Sequence, residues 1–521
     1  MQRRDFIKNV APVAFLGGLK INALSNMPFL NALVGASDND HVLVLIQLVG
    51  GNDSLNTVIP IDVYGKYAAL RPNIAIPESS ILPLGSFKSG LHPAMAGMQS
   101  LYNDGQLAVI QGVGYPSPDT SHFRSTDIWL TGANSDQYLN TGWTGRFLGQ
   151  SYSNYPVGYP NASMPDPLAI QIGSVISPMF MSAGGTTAMA VPTDASFYNL
   201  INGITEPAPN TAMGTELTYL RAIARQTNKY ASAIEAAAKK VTNQYTGYPA
   251  NNELADQLKT VAMLIGGGLK TKVYLVEMGG FDTHGGQVNG GDTKTGAHAN
   301  LLTKISEAIS AFMTDLKMQG IDKRVLGMTF SEFSRRVMSN GSMGTDHGAA
   351  QSIFIFGDAA NAGVLGQSPD FSAITNESNL PMQYDFRSVY SSILRDWFCV
   401  APTDVSSILM KDYQYLPFIK STACNMNYDN LNNLGNNLIS NSPNPFNNST
   451  SISFKTSGGY TLVQIFDASG RLVMIPVQQD YAQGTYTVSV DTGALASGVY
   501  YARLQNQSVS QVRTMLKVTE K

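Results

Sequence analysis

The sequence predicts an α/β protein, a mostly parallel sheet between helices, followed by a small all-β sandwich. Three observations carry this. Apolar runs recur at residues 41–49, 107–110, 272–277, 325–330 and 352–356, and unbroken runs of this kind are expected of strands covered on both faces. Stretches of helical spacing lie between them. Residues 216–241 place Leu217, Leu220, Ile223 and Ala224 on one side, and 300–316 carry Leu302, Ile305, Ile309, Phe312 and Leu316. Alternating strands and helices build a parallel sheet with helical cover. The third observation is a change near Asn432, after which short alternating strands replace this pattern at 451–454, 460–466, 484–490, 498–504 and 512–518. Turn signals such as Ala468-Ser-Gly470 separate them, as in a β-sandwich.

Length and charge narrow the classes of function. A chain of 521 residues can bury a large core in two or three domains. Its net charge is -3, with no basic cluster beyond the first eight residues, which argues against nucleic acid or an anionic membrane surface as partner. No segment of the mature chain has the roughly 18 consecutive apolar residues of a membrane span. Cys399 and Cys424 allow at most one disulfide. They lie 25 positions apart, where a bridge would tie down the end of the main domain, and a pair of buried free thiols is the alternative.

The expected organisation has four parts. Residues 1–36 read as an export signal, because Arg3-Arg4 precede Phe6-Ile-Lys8 and a weak apolar region, in the manner of a twin-arginine signal. Small residues at Val34-Gly35-Ala36 suit cleavage before Ser37. Residues 37–427 form the α/β domain, 428–443 an Asn/Ser-rich linker, and 444–521 the β-sandwich, which contains no His or Cys. Residues 123–150 read as loop and short helix. Residues 151–212 show no sustained period; such a stretch is a lid, a binding wall, or a place where short strands are hard to see.

The chemistry collects where the apolar runs end. The first run opens onto Gly50-Gly-Asn-Asp53, the second leads to Asp119-Thr-Ser-His122, the third to Phe281-Asp-Thr-His284, and the fourth to Ser331-Glu-Phe333. Gly341-Ser-Met-Gly-Thr-Asp-His-Gly348 follows the fourth. Parallel sheets bind ligands at the carboxyl ends of their strands, so these loops are expected to meet at one site. A carboxylate beside an imidazole in a Gly-rich loop, as at Asp346-His347, suits a divalent metal. The alternative is a polar turn in which Asp346 caps the next element. His41, His92 and His298 read as structural, His298 because it sits one turn before Leu302 on an apolar face.

Together, Gly50-Gly-Asn-Asp53, Ser121-His-Phe123, Phe281-Asp-Thr-His284, Ser331-Glu-Phe333 and Thr345-Asp-His-Gly348 resemble the domain-of-unknown-function 1501 family. That family is exported and is grouped with the alkaline phosphatase-like and sulfatase superfamily. The tail, through Asn444-Pro-Phe446, Asp467-Ala-Ser-Gly-Arg471 and Leu495-Ala-Ser-Gly-Val-Tyr500, resembles the C-terminal sorting domain of type IX secretion. The first resemblance implies one or two divalent ions (Zn, Mn, Mg or Ca) clamping a phosphate or sulfate ester. Asp53, Asp346 and His347 would hold one ion, and Asp282 and His284 the other. Ser121, or its neighbour Thr120, would be the nucleophile or a bridging ligand, and Arg124 would steady the anionic substrate. The superfamily has a further late His that this chain lacks, and Asp385 is the expected stand-in.

The implied function is a secreted, metal-dependent hydrolase acting on a small anionic ester or a sulfated or phosphorylated glycan. The alternative is a catalytically inactive binding protein that keeps the fold. Expected partners are the export and type IX secretion machineries, and the expected location is the cell surface or beyond, by way of the periplasm.

Overall fold

The computed structural model of the chain describes residues 39–85, 88–152, 155–191, 229–424, 439–456, 459–467, 472–482, 484–505 and 510–518. The export signal expected over 1–36, most of the linker, and the first half of the expected 216–241 helix lie outside these residues. Residues 229–240 are helical. The chain divides into two compact units, Met1–Cys424 and Asn425–Lys521.

The first unit is built on a nine-stranded sheet. Its strands are β1 Val42–Leu48, β2 Leu107–Gly114, β3 Ala169–Ile172, β4 Ala188–Val191, β5 Val273–Met278, β6 Val325–Phe330, β7 Gln351–Phe356, β8 Gly363–Leu365 and β9 Tyr384–Asp385. They lie in the order β8-β2-β7-β6-β1-β5-β3-β4, with β9 pairing β2. β1 runs parallel to β5 and β6 on either side of it, Ile46 facing Val276 and Thr329. β7 pairs antiparallel with both β6 and β2 and so runs against the rest.

The unbroken hydrophobicity of β1 follows from its place at the centre. Val42, Val44, Ile46 and Leu48 pack on one face with α4 (Glu253–Gly266) and α5 (Ala297–Met318), while Leu43 and Leu45 pack on the other with α2 (His122–Thr131), α3 (Trp143–Ser151) and α6 (Phe386–Ser392). The short α1, Ser54–Thr57, follows the loop that leaves β1. Every β1 side chain from Val42 to Ile46 is fully buried, and each aliphatic one contributes roughly 1.5–3 kcal/mol. β3 and β4 were not among the expected strands. Each is only four residues long, flanked by Pro, Gly and Ser, and shows no usable period.

The second unit is a sandwich of antiparallel strands: β10 Ile439–Ser442, β11 Ser449–Thr456, β12 Gly459–Asp467, β13 Leu472–Tyr481, β14 Gly484–Asp491, β15 Gly498–Gln505 and β16 Ser510–Lys517. One sheet has the order β10-β11-β14 and the other β13-β12-β15-β16. Ile452 and Phe454 meet Val463, Ile465, Ala502 and Leu504 between them. β10 occupies residues read as linker. β13 also went unread, since Pro476 and the polar Gln478-Gln-Asp480 hide its alternation.

Three histidines serve the interior. His41 stacks on Trp397 at 4.0 Å. His92 Nδ1 accepts from the amide of Ala94 at 3.1 Å, and His298 pairs with Asn52 Oδ1 at 2.9 Å. Burial pushes His298 down to about 4 and His92 down to about 3. Both are therefore neutral in the folded chain, whereas the unfolded chain takes up their protons near pH 6.5. Stability is full above that pH and is lost as pH falls toward 4. His298 alone accounts for on the order of 3 kcal/mol over that window. Urea midpoints at pH 7 and pH 5 should differ, and the difference should shrink in His298→Asn; an equal shift in both proteins would refute this.

Cys399 and Cys424 are bridged, with Cα atoms 5.5 Å apart and a sequence separation of 25. A loop of that size adds roughly 3 kcal/mol through the restricted unfolded chain. Denatured, unreduced protein should show no titratable thiol, and reduction should lower the melting temperature by several degrees. Two reactive thiols before reduction would contradict the bridge.

Candidate metal centre

The loops after β1, β2, β5 and β6 leave the same edge of the sheet, and the loop before the reversed β7 arrives there. This placement follows from strand direction. The β1 loop turns through Gly50 and Gly51, at φ +119° and +79°. A Cβ on Gly50 would stand 2.5 Å from the Asp282 amide nitrogen, and one on Gly51 would stand 2.4 Å from the Phe333 ring. Only glycine allows the loops to approach this closely.

Arg335, fully buried, joins them. Its Nε donates to the Gly51 carbonyl at 2.6 Å and Nη1 to that of Thr345 at 3.1 Å. Nη2 donates to the carbonyls of Gly50 and Phe281 and to Asp282 Oδ1, the last at 2.7 Å. One guanidinium thus ties the loops after β1 and β5 to the segment that carries Asp346 and His347.

On this frame His122, Asp282 and His347 bring one donor atom each to within 4.8 Å of one another. His347 Nε2 lies 3.2 Å from Asp282 Oδ1, and His122 Nε2 lies 3.6 Å from Oδ2. His284 Nε2 is also 3.2 Å from Asp282 Oδ1, although His284 does not join the tight group of three. The opposite nitrogen of each ring has its own acceptor: Glu332 Oε1 for His122 at 2.6 Å, the Thr120 carbonyl for His347 at 2.8 Å, and Asp346 Oδ1 for His284 at 3.2 Å. A proton held at Nδ1 leaves the Nε2 lone pair facing Asp282. Bonds of about 2.0–2.1 Å place adjacent corners of a tetrahedron roughly 3.3 Å apart, so this donor set fits a small divalent cation.

The local electrostatics agree. Partial burial pushes the Asp282 carboxyl up, but hydrogen bonding and charge from Arg335, with help from His347 and His284, hold it below the usual range. Asp346 is lowered first by its hydrogen bond from Asn340. Burial lowers His347, against the opposing pull of Thr120 and Asp282. The result is an ionised carboxylate beside a neutral imidazole, which is the state a metal requires.

Not every expected residue reaches the group. Asp53 lies beneath it, fully buried, with Oδ2 taken by Arg71 at 2.5 Å and by Gln287 at 2.6 Å. Its charge is met inside the protein by Arg71. Asp346 stands behind His284 and orients that ring. Asp385 caps α6 and accepts from Arg387 Nε at 2.8 Å and Nη2 at 2.6 Å, away from the cluster. Arg124 bonds Asp127 and the carbonyls of Asn134, Ser135 and Gln137, and its guanidinium stacks 3.9 Å from the Tyr138 ring. It clamps a loop and is committed there. Thr120 and Ser121 are exposed and directly precede His122, with the Ser121 amide held by Asp119 Oδ1 at 2.7 Å.

Sequence reasoning missed His122, Glu332 and Arg335. His122 and Glu332 stood inside quoted motifs, and the signal for His122 was its place after a strand-end loop. Arg335 gave no signal, because its partners are mostly backbone carbonyls.

Similarity to solved structures is distant. A surface component of the type-IX secretion system of Porphyromonas gingivalis shares 20% identity over 15% of this chain and 11% of that one, at a TM-score of 0.12. A protein of the alkaline phosphatase superfamily from Vibrio parahaemolyticus shares 8% identity over 86% of this chain and 78% of that one, at 0.33. A phosphonate monoester hydrolase from Silicibacter pomeroyi shares 8% over 91% and 89%, at 0.28. At these scores none of them bears on the site. No curated protein matches the chain. Residues 442–518 match the secretion system C-terminal sorting domain, which marks the protein for secretion or display at the cell surface. Among the described residues no helix is long and apolar enough to cross a membrane. Residues 109–387 match the family described as protein of unknown function (DUF1501), and the chain belongs to that family.

Proposed function

We propose that the chain is a secreted hydrolase of phosphate or sulfate esters that works with a divalent cation held by His122, Asp282 and His347, with His284 beside them. The observation that carries this reading is the common aim of three imidazoles: each is held at Nδ1 and each turns Nε2 toward the Asp282 carboxylate. The ordered motifs resembling the alkaline phosphatase-like superfamily support an ester substrate, either a small anionic ester or a sulfated or phosphorylated glycan.

When bound, the ion supplies Lewis acidity and lowers the pKa of an oxygen nucleophile. The remaining work belongs to the chain. Imidazole with carboxylate donors suits zinc better than the harder calcium, magnesium or manganese. Asp282 offsets the cation's charge. The attacking group in this reading is the Ser121 hydroxyl, exposed on the residue before His122, with its neighbour Thr120 as the alternative.

His347→Ala removes a donor, and Asp282→Asn removes the balancing charge. Both variants should lose bound metal and lower turnover of chromogenic phosphate or sulfate esters by roughly 100-fold or more, the scale on which loss of an activating group is felt. Chelation should abolish wild-type turnover, and zinc should restore it. Full activity after exhaustive chelation, or no turnover of either ester class by metal-loaded protein, would defeat the reading.

A further inference from the structure

Ser331-Glu-Phe333 leaves β6 at the heart of the site, yet none of the three side chains belongs to the donor set. Glu332 is a carboxylate 1% exposed, with no arginine or lysine bonded to it among the described residues. Its Oε1 accepts from the Gly50 amide at 2.9 Å and meets His122 Nδ1 at 2.6 Å, while Oε2 accepts from the Ser331 hydroxyl at 3.1 Å. Phe333 packs against both donor rings, its centroid 4.9 Å from His122 and 4.7 Å from His347.

We infer that Glu332 is the residue that makes His122 a metal donor. It is a positioning residue: it fixes the Nδ1–H tautomer and the ring plane of His122, with Phe333 as the wall behind. Asp346 does the same for His284 from a more exposed position. Two physical points single out Glu332. A buried carboxylate that gathers an amide, a hydroxyl and an imidazole cannot turn away, so the His122 ring has one stable orientation. A carboxylate at Nδ1 also raises the basicity of Nε2, and losing such a partner typically costs about 10- to 100-fold in metal affinity. The Gly50 amide bond adds a coupling, because the carboxylate that orients His122 also pins the β1 loop.

This inference rests on the metal reading above, and the test separates the two. Zinc affinity is measured by competition with a chelating dye for wild type, Glu332→Gln and Asp346→Asn, alongside ring N–H signals from 15N-labelled histidine. Wild type should bind zinc and show a strongly downfield His122 Nδ1–H. Glu332→Gln keeps the shape and should bind zinc roughly 10- to 100-fold more weakly, moving the His122 signal and leaving that of His347 in place. Asp346 is half-exposed, so Asp346→Asn should fold normally, weaken zinc less, and move the His284 signal alone; if Glu332→Gln does not fold, the wild type decides the matter, because a His122 Nδ1–H missing from its downfield position would overturn the inference. Wild-type affinity in the folded variants, with the ring signals unmoved, would overturn the inference alone. A wild type that binds no divalent metal would overturn the reading beneath it as well.

Discussion

The site depends on the guanidinium of Arg335. Desolvating an arginine is costly unless every donor finds an acceptor, and here the acceptors are carbonyls at the ends of three separate loops together with Asp282. The requirement works in both directions. The loops must bend sharply enough to present those carbonyls, which is why glycine stands at 50 and 51, and the cation must be present to hold the carbonyls together. Replacing one partner of such a network leaves the others buried and unpaired, typically at a cost of about 3–5 kcal/mol. The geometry around Asp282 is therefore a consequence of folding and does not have to be created by a ligand.

Charge is arranged in shells about that point. The inner groups are half open to solvent, with 48% of the Asp282 side chain and 25% of the His347 side chain exposed. The groups behind them are closed in: Glu332 and Arg335 are buried, and so is the Asp53–Arg71 pair. Donors that must meet a solute are accessible, while Glu332, which holds His122, is dry, where its hydrogen bonds are strongest; Thr120 and Asp346, which hold His347 and His284, stand nearer solvent.

The sequence made the architecture legible where hydrophobic runs were long. β1, β5 and β6 were plain, because central parallel strands must be apolar on both faces. β3, β4 and β13 were not, since a four-residue strand or one broken by proline carries too little periodicity to separate from loop. The meeting of the loops could be read from strand direction alone. The division of labour among the acidic residues could not. Asp53, Asp346 and Asp282 all follow strands or sit in Gly-rich loops, and nothing in local sequence tells which is matched by an arginine such as Arg71, distant in the chain from the loops it supports. Exposure and partner identity decide that, and both are tertiary properties.

The same reasoning bears on how many cations the site accommodates. A second ion beside the first needs carboxylates with unmatched charge. Asp53 would be the natural donor from below, but Arg71 lies 2.5 Å from its Oδ2 and both side chains are fully buried. An incoming ion would have to displace that guanidinium and leave Asn56 Oδ1 and the carbonyls of Arg336 and Val337 without their donor. Asp385 is matched by Arg387 in the same way. Two positions where the resemblance led one to expect metal-bound carboxylates are thus satisfied by internal arginines. Asp282 differs in facing the Nε2 atoms of three imidazoles, those of His122, His284 and His347. Its bond from Arg335 reaches Oδ1 from the interior, and Oδ2 remains turned toward His122. Buried guanidinium groups thus meet the charge of Asp53 and Asp385, while Asp346 beside His284 stays half-exposed and is paired with no arginine among the described residues.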